Sequence, residues 1–275
     1  MSWGAVRLRR AGIGPAEREA QELLGHILRL TRPQFLAGLD QAVRPDPVRR
    51  YRRLIARRAR RIPLQYVLGY EEFAGLKFKV GPGVLIPRPE TELILEAAAR
   101  LRVSHPMRWI ADLGTGSGNL ALALAARFPQ ARVYAVENSA RALRWARLNR
   151  RRLGLKNVHF RLGRADAPLP VRWRGRFGLV VSNPPYVPRA DLPRLQAEVQ
   201  REPRPALDGG LTGLEGIRRL GAAAFRLLAP EGVFICEIGY GQEPAASRIL
   251  LECGFSAQVC DRDWHGIPRI ITAFK

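Results

Sequence analysis

Four consecutive residues, Asn183-Pro184-Pro185-Tyr186, combine hydrogen-bond acceptors, a stiff backbone and an aromatic ring. Two successive prolines fix φ and donate no amide, so the carbonyls exposed there can act only as acceptors. The Asn183 side-chain oxygen and the Pro184 carbonyl can each take one N–H of a planar NH2 group, while Tyr186 covers the flat face of an amide or base. A planar NH2 is a weak nucleophile because its lone pair is delocalised. Polarising both N–H bonds as the nitrogen pyramidalises helps to localise that pair, so orientation can stand in for a full-time base. The competing reading is a proline-rich turn that merely ends a strand.

A second motif, Asp112-Leu113-Gly114-Thr115-Gly116-Ser117-Gly118, lies between a predicted strand and a helix rich in Leu and Ala. Glycines there allow a tight turn and let a ligand approach the backbone closely. Alone, the turn suits either a dinucleotide pyrophosphate or the sugar and methionine parts of S-adenosylmethionine, whose ammonium welcomes an acid such as Asp112. Glu137 ends the next strand, where a carboxylate can accept from both ribose hydroxyls of either cofactor. Asp166, beyond the third strand, is expected beside the adenine, accepting from its exocyclic amine, or else capping nearby loop amides. The NH2-holding segment decides for S-adenosylmethionine, because it sets a nitrogen opposite a sulfonium methyl for in-line displacement. The candidate cofactor residues are therefore Asp112, Gly114, Thr115, Gly116, Gly118, Glu137, Asp166 and Asn183, and the candidate catalytic residues Asn183, Pro184, Pro185 and Tyr186.

These residues need a frame that gathers them. From Arg108 onward strands and helices alternate at the spacing of a parallel, helix-covered sheet. Strands are predicted over 108–112, 131–136, 157–161, 177–182, 232–238, 255–260 and 268–274, with helices near 117–128, 139–152, 214–228 and 242–253. Asp261 to Ile267 is too short for a crossover helix, so the last strand should run antiparallel in an otherwise parallel sheet. The expected fold class is α/β: a Rossmann-like, seven-stranded mixed sheet with a small helical amino-terminal domain and a β-hairpin bridge. Boundaries are expected at 1–62 for the helical domain, 63–90 for the bridge and 91–275 for the sheet domain. In the first, Ala20, Leu23, Leu24, Ile27 and Leu28 mark one helix face, before a break at Thr31-Arg32-Pro33. Residues 62–85 read as short extended pieces separated by Gly69, Gly75, Gly81 and Gly83, and a helix is expected to begin near Thr91.

Composition bounds the function classes. The 275 residues carry 46 basic and 24 acidic side chains, a net +22, nearly all of the positive charge being arginine. Such a field attracts nucleic acid, a ribonucleoprotein or an acidic protein surface, and equally fits a GC-rich genome or a hot habitat. Arginines at 49, 50, 52, 53, 57, 58, 60 and 61 form a basic amphipathic run that is either a solvated face or a partner-docking surface. Cys236, Cys253 and Cys260 are an odd count without Cys-x-x-Cys spacing, and the four histidines are scattered, so no metal site is expected. No apolar run of membrane-spanning length and no signal core follow Met1, so a cytoplasmic protein without membrane association is expected.

At this point the chain resembles a known family. Asn-Pro-Pro-Tyr after such a glycine turn is typical of class I methyltransferases acting on planar nitrogens. Pro63-Leu64-Gln65-Tyr66-Val67-Leu68-Gly69, with Phe73 and Phe78 and then Ile86-Pro87-Arg88-Pro89-Glu90-Thr91-Glu92, is more specific. The combination resembles the glutamine-N5 methyltransferases of peptide chain release factors, the PrmC or HemK family, over nearly the whole chain. The resemblance implies S-adenosylmethionine as cofactor and the glutamine of the Gly-Gly-Gln loop in release factors one and two as substrate. It implies a substrate-holding role for the helical domain, a position beside the active-site mouth for Glu202-Pro203 and Ala206 to Gly210, and one beside the cofactor for Arg88-Pro89-Glu90. Two positions depart from the pattern: Ala167 stands where some relatives have an aromatic residue, and Glu137 where many have aspartate.

Three alternatives differ in what they need. A sibling enzyme methylating a ribosomal-protein glutamine would share cofactor and mechanism and differ in the amino-terminal recognition surface. A DNA adenine-N6 methyltransferase would suit the positive charge, but the sequence leaves no room for a target-recognition domain. A non-enzymatic ribosome- or RNA-binding protein would leave Gly114, Glu137 and Asn183 unexplained, although contact with ribosomal components stays open.

Overall fold

The computed structural model describes residues 2–38, 45–101 and 107–275. They divide into two compact units, Met1–Tyr70 with Gln196–Arg201, and Glu71–Leu195 with Glu202–Lys275.

The first unit is helical. Helix α1 (Ser2–Arg10), which the sequence reading leaves unassigned, buries Ala5 and Leu8 among its arginines. Helix α2 (Ala16–Leu28) turns Ala20, Leu23, Leu24 and Ile27 inward, at the helical spacing of the apolar residues. The Thr31-Arg32-Pro33 break is the start of a short helix, α3 (Arg32–Ala37). Thr31 and Gln34 form a capping box there, and Pro33 sits in the first turn, where no amide is needed. Helix α4 (Pro45–Arg58) carries the arginine run as far as Arg58, and α5 (Leu64–Leu68) follows. Residues 64–68 are thus helical rather than extended: Gly69, at φ +79°, caps the turn by donating its amide to Gln65, and Val67 and Leu68 join the core of α1, α2 and α4.

The arginine run is not one solvated face. Arg58 is buried, giving Nε and Nη2 to Glu19 at 2.6 and 3.0 Å and Nη1 to Glu198 at 2.6 Å. Arg61 adds a 2.8 Å contact to the second oxygen of Glu198. These pairs hold residues 196–201 in the helical unit. Arg49, Arg50, Arg52 and Arg53 remain exposed.

The boundary falls one residue into a hairpin of β1 (Tyr70–Phe73) and β2 (Leu76–Lys79), and the second unit takes Phe73 and Phe78 from it into the main core. After a 3-10 turn over Pro89–Thr91 comes α6 (Glu92–Arg100), where the sequence predicts a helix to begin. The alternation then runs β3 (Trp109–Leu113), α7 (Asn119–Arg127), β4 (Arg132–Glu137), α8 (Ala140–Leu153), β5 (Val158–Leu162), β6 (Phe177–Ser182), α9 (Glu215–Leu227), β7 (Leu228–Glu237), α10 (Glu243–Glu252), β8 (Ala257–Arg262) and β9 (Pro268–Phe274). The sheet order is β5-β4-β3-β6-β7-β9-β8. β9 is antiparallel to both neighbours, and the pairings among β5, β4, β3, β6 and β7 are parallel, as the short last connection requires.

Both sheet faces are covered, so β3 after Trp109, β6 and the end of β7 are buried at successive residues, apolar except for Asp112, Ser182 and Glu237. Because β4 lies on one side of β3 and β6 on the other, the strand order reverses at β3. Open α/β sheets bind ligands outside the carboxyl ends of the strands at such a switch point.

Candidate active site

Three strand ends converge at that point. β3 ends beside β4 with Leu113 opposite Val136, and Ser182 at the end of β6 donates Oγ to the Leu113 carbonyl at 2.7 Å. The loops that follow therefore start from fixed, adjacent positions. They border a cavity of about 530 Å3 lined by Gly114, Thr115, Gly116, Glu137, Asn183, Pro184 and Pro185, with Arg88, Thr91 and residues 203–206 also on its wall.

The three glycines of the turn divide by role. The amides of Gly114 and Thr115 donate to the Val136 carbonyl at 2.8 and 3.0 Å, clamping the turn to β4. Gly114 (φ +88°) and Gly116 (φ +55°) face open space: a Cβ on either would meet no protein atom within 4 Å. Gly118 (φ +83°) is absent from the cavity wall, and a Cβ there would press on Leu122 at 3.0 Å and Ala146 at 3.2 Å. The missing side chain lets the turn approach α8 closely, and this places Gly118 beneath the wall rather than on it.

Asp112 also lies beneath the wall. Fully buried, it accepts from Thr115 Oγ1 at 2.5 Å and the Ala121 amide at 3.1 Å through Oδ2. Oδ1 is buried with no hydrogen-bond partner among the described residues. Burial pushes its pKa up to about 7, against the pull of those donors. Asp112 thus braces the turn rather than lining the cavity.

Glu137 is on the wall and nearly buried. Oε2 accepts the Gly116 amide and Oε1 the Ser139 amide, both at 2.8 Å, while burial pushes its pKa upward. The Asn138 amide also donates to this carboxylate, which keeps acceptor capacity toward the cavity. Ser139 in turn caps α8 through its Oγ and the Ala142 amide. Asp166 departs from the expectation. Arg226 on α9 takes both its oxygens at 3.0 and 2.8 Å, and the wall is formed instead by Gly163, Arg164 and Ala165.

On the opposite side, Asn183, Pro184 and Pro185 reach the cavity and Tyr186 does not. The Tyr186 hydroxyl is hydrogen-bonded to Glu237, and its carbonyl accepts from Gln242 Nε2 at 3.0 Å. It therefore braces the segment from behind rather than covering the face of a bound group. Asn183 Nδ2 donates to Thr91 Oγ1 at 3.0 Å, and Thr91 Oγ1 donates to Glu237 Oε2 at 2.5 Å. Glu237 is buried at the end of β7, and burial pushes its pKa up to about 7. Glu202, buried too, accepts from the Ile86 amide at 2.8 Å and from Arg88 at 2.5 Å, tying residues 86–88 to the mouth segment.

Residue types and spacing single out none of Thr91, Glu237 and Gln242 as site residues, and only the family resemblance places Glu202 at the mouth. Glu237 carried a usable signal, since a lone acid ending an apolar strand is the same pattern that marks Glu137. A larger cavity, about 730 Å3, lies by Met107 to Trp109 and Arg127 to Arg132. It borders residues outside the described set and has none of these groups.

An open glycine cradle facing a carboxylate with acceptor capacity to spare fits the ribose and methionine parts of S-adenosylmethionine. This sheet order with an antiparallel β9, the cradle after β3, the acid ending β4 and Asn-Pro-Pro-Tyr after β6 define a class I, S-adenosylmethionine-dependent methyltransferase. A methyltransferase from Pyrococcus furiosus shares the fold, with a TM-score of 0.54 at 21% identity over 73% of this chain and 89% of that one. Residues 107–262 match a methyltransferase domain family, and residues 1–69 match the PrmC N-terminal domain.

The chain belongs to the release factor glutamine methyltransferase family. It is 41% identical to the release factor glutamine methyltransferase of Geobacter sulfurreducens, over 98% of this chain and 94% of that protein. With the corresponding enzyme of Moorella thermoacetica the identity is 42%, over 98% and 95%.

Proposed function

We propose that this enzyme methylates N5 of the glutamine in the Gly-Gly-Gln loop of bacterial release factors one and two, in the cytoplasm, yielding N5-methylglutamine and S-adenosylhomocysteine. The observation that carries the reading is the meeting, on one cavity wall, of the Gly114–Gly116 cradle, Glu137 and the Asn183–Pro185 acceptors. S-adenosylmethionine supplies an electrophilic methyl group on its sulfonium.

The residues of this chain do the rest. Glu137 takes the ribose hydroxyls, and Gly114 and Gly116 let the backbone come close without a side chain between. Asn183 Oδ1 and the Pro184 carbonyl accept the two amide hydrogens of the substrate. No hydrogen bond among the described residues already occupies either acceptor, which leaves both for the substrate. Accepting both N–H bonds orients the nitrogen and strengthens as it pyramidalises, so the contact favours the transition state over the ground state. The helical unit, with its exposed arginines on α4, is assigned to holding the protein substrate; family membership along residues 1–69 supports that division of labour.

The direct test offers labelled S-adenosylmethionine together with release factors one and two, a ribosomal-protein mixture and duplex DNA, and locates the label by peptide mass analysis. Label on the Gly-Gly-Gln glutamine is expected. Label confined to a ribosomal-protein glutamine or to adenine would overturn the substrate assignment.

A further inference from the structure

The Asn183 side chain is useful only one way round. Its oxygen accepts from an amide N–H; its nitrogen does not, and a flipped carboxamide would set two donors against two donors. Something must therefore choose between two orientations of nearly equal shape.

The hydrogen bonds behind Asn183 make that choice. Thr91 Oγ1 has a single proton, and at 2.5 Å it is given to Glu237 Oε2. Toward Asn183 the hydroxyl is then only an acceptor, and the end of the carboxamide that faces it must be the donor, Nδ2, at 3.0 Å. Oδ1, on the other arm of the planar group, is left to the cavity. Thr91 is 1% exposed and Glu237 2% exposed, so water does not offer either a substitute partner. Glu237 also takes the hydroxyl of Tyr186, three residues beyond Asn183, so one carboxylate fixes the segment at two points.

We propose that Glu237, acting through Thr91, is the positioning residue that holds Asn183 with its oxygen toward the amide to be methylated. This rests on the glutamine-methylation reading above. The relay works only while Glu237 is an acceptor. A protonated Glu237 has a hydrogen of its own to give; passed to Thr91 Oγ1, it frees the threonine proton for Asn183 and favours the flipped carboxamide, with Nδ2 toward the substrate.

The groups around Glu237 leave its proton poised near neutrality. Its neighbour on the opposing strand is Ile270, next to Arg269, whose guanidinium favours ionisation but is shared with Asp263 at 2.9 Å. Glu90 opposes ionisation from the 3-10 turn, Thr91 and Tyr186 favour it through their hydroxyls, and Cys236 on its own strand is a buried thiol whose pKa is itself pushed up. Arg88 acts on Tyr186 from the same turn. Burial outweighs the rest, giving a value of about 7.

The test compares wild type, Thr91→Val, Thr91→Ser and Glu237→Gln in single-turnover methylation of release factor, with cofactor and protein saturating, across pH 6 to 9. Calorimetric titration with S-adenosylmethionine serves as the folding control. Thr91→Val, matched in shape but without the hydroxyl, is expected to lose on the order of 10²-fold in rate, the cost of an angstrom-scale misplacement, with cofactor affinity within threefold of wild type. Thr91→Ser restores the hydroxyl and should recover most of the rate. The wild-type rate should fall as pH drops through about 7, and Glu237→Gln, which cannot ionise, should show no such limb. A Thr91→Val enzyme as fast as wild type, or a pH limb unchanged in Glu237→Gln, overturns the proposal while leaving glutamine methylation standing. A wild type that modifies no glutamine in either release factor overturns both.

Discussion

Two glycines of one turn should fail in different ways when each is given a methyl group. Gly114→Ala and Gly118→Ala share the backbone cost, since φ is +88° at one and +83° at the other, and a non-glycine residue there loses about 1–3 kcal/mol. They differ in where the Cβ goes. At Gly114 it enters open space on the cavity wall; at Gly118 it meets Leu122 and Ala146 at 3.0 and 3.2 Å, where the turn meets α8. Gly114→Ala should therefore weaken S-adenosylmethionine binding by about tenfold or more, the equivalent of ~1.4 kcal/mol. Gly118→Ala adds overpacking of about 1–3 kcal/mol to its strain, and in a domain of this size each kcal/mol lowers the melting temperature by roughly 2–4 °C. Calorimetric titration and thermal melting of both variants separate the two outcomes. A Gly118→Ala protein that melts like wild type but binds cofactor as poorly as Gly114→Ala would refute the division of the turn.

Three further outcomes follow from the same geometry. Neutralising the exposed Arg49, Arg50, Arg52 and Arg53 to glutamine should weaken capture of release factor at low salt and leave cofactor binding intact, the difference shrinking as salt rises; equal capture would make this run a solvated face. Arg58→Met removes the shared partner of a buried cluster, stranding Glu19 and leaving Glu198 to Arg61 alone, so the helical unit should lose about 3–5 kcal/mol, read by chemical denaturation, whereas Arg50→Met should lose almost nothing. Because the pKa of Asp112 is raised from 3.8 to about 7, the folded cofactor-free protein holds that proton more tightly than the unfolded chain. Its contribution to stability is complete below about pH 4 and is lost as pH rises through about 7. Asp112→Asn should thus flatten the decline in melting temperature between about pH 5 and 8, and an unchanged slope would contradict the account.

Much of this was legible in residue types and spacing, for a physical reason. Apolar runs such as Phe177 to Val181 must be buried between helices, so the sheet and the antiparallel final strand follow from periodicity and connection length, while β7 begins at Leu228, four residues before the expected 232. The position of Glu137 and Asn183 on the cavity wall is legible because polar residues at the carboxyl ends of such strands have few reasons to be there. What spacing could not tell was direction. Gly114 and Gly118 are the same residue with nearly the same φ, and only the neighbours decide which faces a ligand. Asp166 lies where an adenine-side acid belongs, yet an arginine 60 positions away in sequence takes both its oxygens. Arg58 is indistinguishable from Arg57 in the run until the helix turns it toward Glu19 and Glu198. Pro63 to Leu68 reads as extended from its flanking glycine and proline, but tertiary burial of Val67 and Leu68 makes a helical turn the better solution.

The central claim is that Asn183 and the Pro184 carbonyl clamp a planar amide for methyl transfer. Its most direct measurement is the single-turnover rate of Asn183→Ala on release factor, with cofactor and protein substrate both saturating so that binding is removed from the comparison. Losing one acceptor lets the amide rotate, at a cost of about 10²-fold from misplacement, and the hydrogen bond that strengthens in the transition state adds to it. The account predicts a rate at least about 10²-fold below wild type with S-adenosylmethionine affinity nearly unchanged; a folded Asn183→Ala enzyme whose rate stays within threefold of wild type would contradict it.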